Sequence, residues 1–154
     1  MTEPARRRET AIHILVAAAR NGDPRVITQL ASGWVMFGER QFVSGYALLL
    51  PDPVVPGINS LFGPKRAQFL LDMSLVGDAL LAVTEASRVN YAIFGNLEPA
   101  LHAHIVPRYA DEPAELRTQQ PWAYDWDAAP KFDATAFAEL GQELRSELAR
   151  ISAR

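Results

Sequence analysis

The chain is 154 residues long, 49% hydrophobic and 21% charged, with a net charge of −3. That suits one domain able to bury a core unaided, and the acidity argues against a general DNA- or RNA-binding surface, which needs excess cations to neutralise phosphates. The absence of cysteine excludes disulfides, thiolate metal ligands and cysteine nucleophiles.

The basic run at 6–8 is followed by Glu9 and His13, so the apolar stretch behind it is too short and broken for a signal or membrane-spanning segment. A cytoplasmic protein with no membrane partner is expected. Residues 6–20 are predicted helical, because Ile12, Leu15, Val16 and Ala19 recur at helical spacing. Asn21, Gly22 and Pro24 form a stop signal. GWVMFGE (33–39) and FVSGYALLL (42–50) are predicted to form a hairpin, its second strand buried on both faces since Ala47 to Leu50 is wholly apolar. PDPVVPG (51–57) is a loop, with three prolines in seven residues.

Residues 63–86 carry the clearest helical pattern, with Leu70, Met73, Gly77, Leu80 and Leu81 as its apolar stripe. Asp72 and Asp78 are expected to be exposed or capping, and Trp34 to pack in the core or hairpin. Gly77 costs about 1 kcal/mol against alanine inside a helix, which a close approach to the sheet would justify. RVNYAIF (88–94) reads as a strand, GNLEP (95–99) as a turn and ALHAHIV (100–106) as another strand. Residues 110–133 are polar and proline-rich, with Trp122, Tyr124 and Trp126 spaced by two. A final amphipathic helix spans 134–152, with Phe137, Leu140, Leu144, Leu148 and Ile151 on one face. The order of elements is that of an α+β fold with a mainly antiparallel sheet.

Two of the three histidines, His102 and His104, lie in the short stretch HAH. On a strand they share one face with Ala100, while Leu101, Ala103 and Ile105 face the core. Three readings compete. Both histidines can be structural. They can offer two nitrogens to one metal ion, with further ligands such as Glu98 supplied from elsewhere. Or one can be a nucleophile, since a neutral imidazole attacks phosphorus once its other ring nitrogen is held. The turn at 94–96 can then supply backbone N–H groups and the amide of Asn96, and a protonated His104 can stabilise phosphate charge. His13 is expected to be a helix-face histidine without a chemical role.

NYAIFGNLEPALHAHIVPRY (90–109) resembles the histidine triad nucleotide hydrolases and transferases, most closely the branch related to diadenosine polyphosphate hydrolases. The likeness spans about residues 33–110 and rests on Asn90, Gly95, Asn96, His102, His104, Pro107 and Arg108. It implies one histidine-triad-like domain over 1–154, with about five strands, a long helix on the sheet and a helical, aromatic extension at 111–154. It further implies hydrolysis of a nucleoside-phosphate bond, in dinucleoside polyphosphates or related nucleotides, through a nucleotidyl intermediate on His102. His104 would contact the phosphate. Asn90, Gly95 and Asn96 match positions near phosphate or ribose, Glu39 and Gln41 lie near where relatives contact ribose or are solvated polar residues of the hairpin, and Arg108 reaches a distal phosphate or pairs with Glu98 or Asp111. No metal or other cofactor is required, although the substrate can arrive as a magnesium complex. A homodimer is implied.

Two departures stand out. Ala100 replaces the first histidine of the triad, but its carbonyl can still hold the nucleophile. Asp52-Pro53-Val54 stands where many relatives carry a histidine after the second strand, which leaves no assigned acid for the leaving group. The alternative function is a nucleotide-binding protein with little turnover. Trp122, Tyr124 and Trp126 are read as packing of the tail onto the domain, with a cover over a base as the alternative.

Overall fold

The computed structural model describes residues 8–153. Helix α1 (Ala11–Arg20) starts at a capping box, in which the Thr10 hydroxyl accepts from the His13 backbone N–H and the His13 ring accepts from the Thr10 N–H. His13 therefore builds the helix start. The expected beginning of this helix at residue 6 lies outside the described residues. The helix stops at Asn21, and Gly22 follows in the left-handed region at φ +83°.

Strands β1 (Val26–Gln29), β2 (Gly33–Phe37), β3 (Ala47–Pro51), β4 (Arg88–Ala92) and β5 (Ala103–Arg108) form one sheet in the order β1-β2-β3-β5-β4, antiparallel throughout. The hairpin of β2 and β3 pairs Gly33 with Pro51 and Phe37 with Ala47. β1 was not among the expected elements, since four residues without strict alternation carry little strand signal, and two expectations need correction. Residues 42–46 precede the strand rather than belong to it. β5 begins at Ala103, so His102 sits just before the strand and only His104 lies within it.

Helix α2 (Gly63–Val83) and helix α4 (Ala138–Ser152) cover one sheet face. Phe69, Val76, Leu80, Leu144 and Leu148 interlock there with Val35, Leu49, Ala103 and Ile105. Each such large side chain contributes about 1.5–3 kcal/mol by leaving water. The buried line of α2 runs through Phe69, Asp72, Val76 and Leu80, not through Leu70 and Leu81, which are exposed. Asp72 is buried too, contrary to expectation: it accepts from the Ser32 N–H and from Gln68, joining α2 to the start of β2. Gly77 is explained by Tyr91 of β4, whose hydroxyl would lie 1.8 Å from any Cβ placed there.

The opposite face carries two separate covers. Ile12, Val16 and Ala19 of α1 pack on Met36, Leu50 and Ala100. The tail, including the short helix α3 (Ala114–Arg117), lays Tyr124 and Trp126 beside Val43, Tyr46 and Val106. Among the described residues, no helix is long and apolar enough to cross a membrane.

Candidate active site

The histidines lie on the face that α1 and the tail share. Strand alternation and the pairings Ala92–His104, Asn90–Val106 and Arg88–Arg108 put Asn90, His104 and Arg108 on that face together. His102 is buried, at 8% exposure, and its ring Nδ1 lies 2.8 Å from the Ala100 carbonyl oxygen. A carbonyl only accepts, so Nδ1 carries a proton, and in the neutral ring Nε2 is the nitrogen that keeps its lone pair. The expected orienting bond thus survives the loss of the first triad histidine.

Ala100 is itself buried beneath α1. Its neighbours are pinned as well: the Leu101 N–H donates to the Val55 carbonyl at 2.8 Å, and the Ala11 N–H donates to Glu98 at 3.3 Å. The carbonyl that aims His102 is consequently held from several sides.

His104 stands beside His102, with ring centroids 4.9 Å apart and planes nearly perpendicular. Its Nδ1 lies 2.6 Å from the Tyr46 hydroxyl. Burial pushes the His104 pKa down to about 4, and proximity to His102 adds to the effect. Burial also pushes the Tyr46 phenol well above its usual range. The phenol hydrogen has no other acceptor among the described hydrogen bonds, so Tyr46 donates to His104 Nδ1. His104 is then a neutral donor through Nε2–H, not the protonated group expected from the sequence. Tyr46 escaped sequence reading, although a polar-tipped ring two residues before Leu48, the cross-strand partner of His104, was the available signal.

The remaining expected site residues divide. Asn90 accepts from Arg108 at 2.8 Å through its side-chain oxygen. Arg108 is buried and committed: it grips Glu112 with two nitrogens and donates to the carbonyls of Leu116 and Gln119. It is not free for a distal phosphate, and its partner is Glu112 rather than Glu98 or Asp111. Gln41 is also spent, holding the Gly38 and Tyr46 carbonyls and the Gly45 N–H, so it is not available to a ribose. Glu39 is exposed, and its carbonyl accepts from the Phe132 N–H where the tail clips on. Gly95, at φ +151°, and Asn96 are exposed in the turn between β4 and His102, and no described hydrogen bond joins them to either histidine. Asp52 accepts from the Trp34 indole at 2.9 Å and pairs with Arg20, so it ties α1 to the hairpin.

The tail reaches the site. Trp122 meets the His104 ring edge-on at 5.1 Å, and Trp126 lies 6.3 Å from it. Phe94, at the end of β4, touches both His104 and Trp122.

No protein-family model and no curated protein matches this sequence. Solved structures do. A histidine triad protein from Bradyrhizobium japonicum is 27% identical over 80% of this chain and 89% of its own, with a TM-score of 0.69. The chain has the histidine triad fold. That likeness supports the histidine triad family as its place. A zinc-bound histidine triad family protein from Mycobacterium smegmatis superposes with a TM-score of 0.65 at 19% identity, over 90% of this chain and 95% of that one. A hypothetical histidine triad nucleotide-binding protein from Sulfolobus tokodaii gives 0.63 at 13% identity, over 82% and 85%. In the present histidine triad fold, no group of three His, Cys, Asp or Glu side chains among the described residues is arranged to hold a metal ion.

Proposed function

We propose that this protein is a nucleotide hydrolase or transferase that cleaves a nucleoside-phosphate bond through His102. The observation that carries the reading is the 2.8 Å contact of His102 Nδ1 with the Ala100 carbonyl, which fixes the tautomer of the neutral ring so that Nε2 is the nitrogen with the lone pair. Nε2 attacks phosphorus, the N–P bond forms, and the bond to the leaving group breaks with its electron pair. The leaving group takes its proton from solvent. Water then attacks phosphorus, the N–P bond breaks, and a nucleoside monophosphate is released. His104 donates Nε2–H to a phosphate oxygen throughout, and a neutral donor in a buried site does so without the cost of holding a buried charge.

Support comes from the likeness to histidine triad structures, one of which is described as nucleotide-binding. The substrate class proposed is nucleotides in which a nucleoside phosphate is joined to a second group, dinucleoside polyphosphates among them. No cofactor enters either step, and magnesium accompanies the substrate only. The assembly proposed with this activity is a homodimer.

Turnover of diadenosine tetraphosphate and a panel of nucleoside monophosphate esters by the natural protein and by His102→Ala tests the reading. Products from the natural protein alone are expected. Nucleotide binding without products from either protein would replace it with the second reading, a binding protein idled at Ala100.

A further inference from the structure

The proline-rich segment after β3 has no part in the proposed chemistry, since Asp52-Pro53-Val54 supplies no histidine there. It does touch the site from behind. Strands β3 and β5 pair Ala47 with Ile105 and Leu49 with Ala103, so the next pair along that ladder would be Pro51 and Leu101. Proline has no N–H to give, and the pairing stops. The chain leaves the sheet at Asp52 and comes back at Val55, whose carbonyl accepts from the Leu101 N–H at 2.8 Å.

That N–H and the carbonyl that aims His102 belong to one peptide unit. The Ala100 oxygen meets His102 Nδ1 at 2.8 Å, and the Leu101 N–H, on the same rigid plane, meets Val55. Turning the plane breaks both bonds together, so the Val55 carbonyl fixes the direction in which Ala100 presents its oxygen. The donated N–H also polarises that carbonyl and makes it a stronger acceptor.

Two features hold the Val55 carbonyl itself. Val54 packs with Ala100 in the cluster under α1, and Val55 packs against the core that contains Leu101 on the other sheet face. The two dipeptides are stitched to the two faces in the same order. Pro56 then restricts Val55 to extended backbone, and the Val55 backbone angle sets where its carbonyl points. Asp52, in the same segment, binds Arg20 of α1 and the Trp34 indole, which anchors the helix that covers Ala100.

We infer that Val55 and Pro56 are positioning residues for His102: they hold the peptide between Ala100 and Leu101 in the one orientation that keeps the His102 ring in its Nδ1–H tautomer. The inference rests on the nucleotide-cleaving reading for its kinetic consequence, but the tautomer can be measured without any substrate.

Nitrogen NMR of the histidine rings, at about pH 8 where an ordinary imidazole is neutral, reads the tautomer directly. The natural protein should show His102 with a protonated Nδ1 and a bare Nε2, its signals identified by their loss in His102→Gln. Val55→Gly gives up the anchor in the core, and Pro56→Gly frees the Val55 backbone. Each should show the two tautomers in exchange. Each should also lower kcat about tenfold, the worth of one hydrogen bond, with KM within about twofold because the phosphate contacts are untouched. Val55→Ile keeps the anchor and should keep both the tautomer and the rate. Leu75→Ala, on α2 and packed against the same core, controls for a general loss of stability and should leave the tautomer as it is. A single Nδ1–H tautomer persisting in Val55→Gly and Pro56→Gly, or an equal disturbance in Leu75→Ala, would overturn the positioning role. Turnover by the natural protein separates the two ideas. Cleavage with an unmoved tautomer in the glycine variants removes the role of Val55 and Pro56 and leaves the hydrolase; a moved tautomer in a protein that cleaves nothing does the reverse.

Discussion

Ala100 sits where the resembling family carries a histidine, and its surroundings leave no room for one. Its methyl group is buried with Ile12, Val16 and Leu50. Restoring histidine should therefore overpack the contact with α1 and cost about 1–3 kcal/mol, read as a lowered urea midpoint, without raising turnover. A gain in turnover at unchanged stability would show that the side chain, not only its carbonyl, is missing from the site. The partner residue Tyr46 has a different test. Tyr46→Phe removes the only described hydrogen bond to His104 Nδ1 and should lower kcat about tenfold, the worth of one hydrogen bond. His104 also sets a pH limit. Its pKa in the folded chain is about 4, below the 6.5 of a free histidine, so the unfolded chain takes up the proton first. Its contribution is complete above pH about 6.5 and declines as pH falls towards 4, by on the order of 1–3 kcal/mol. Urea melts at pH 7 and pH 4.5 should show the natural protein losing ground against His104→Gln. The bond between the His102 ring and the Ala100 carbonyl was foreseen through the family resemblance, and it joins residues only two apart in the chain. The charge state of His104 was not, since it depends on burial by residues far along the chain.

At the scale of elements, the Arg108–Glu112 ion pair ties the start of the tail to the end of β5. Glu112 accepts from Arg108, from the Tyr109 N–H at 2.6 Å and from the Tyr124 hydroxyl at 2.6 Å. Burial pushes its pKa up, but these donors outweigh the effect and hold it below the usual carboxylate range. Glu112→Gln keeps the shape, leaves Arg108 buried without a counter-charge, and should cost about 3 kcal/mol. The emission of Trp122 and Trp126 should shift with it as the tail unseats from His104. An unchanged urea midpoint would mean that the pair is dispensable to the tail. The long helix, the hairpin and the last helix were readable from periodicity. β1 was not, being four residues long, and neither was the path of residues 110–133, whose order comes from single hydrogen bonds rather than from a repeating pattern.

For the whole molecule, one sheet face is closed by α2 and α4, and the other is divided between α1 and the tail with His102 and His104 at the division. The composition and the order of elements were enough for the α+β class, while the division itself depends on contacts such as Ala100 under α1 and Trp122 on His104. Among the described residues, the outer edge of β4 has no neighbouring strand in the sheet, an open edge of the kind that pairs with another chain. Light scattering on the purified protein should give the mass of a homodimer, and a monomer at micromolar concentration would remove that part of the proposal. The proposed reaction requires that His102 become covalently nucleotidylated. Rapid quenching of the protein with adenosine 5′-monophosphate phenyl ester, followed by intact-mass and peptide analysis, tests it most directly. One adenylyl group is expected on the peptide bearing His102 and none on the His102→Ala protein. Turnover with no adduct on His102, or an adduct that persists in His102→Ala, would contradict it.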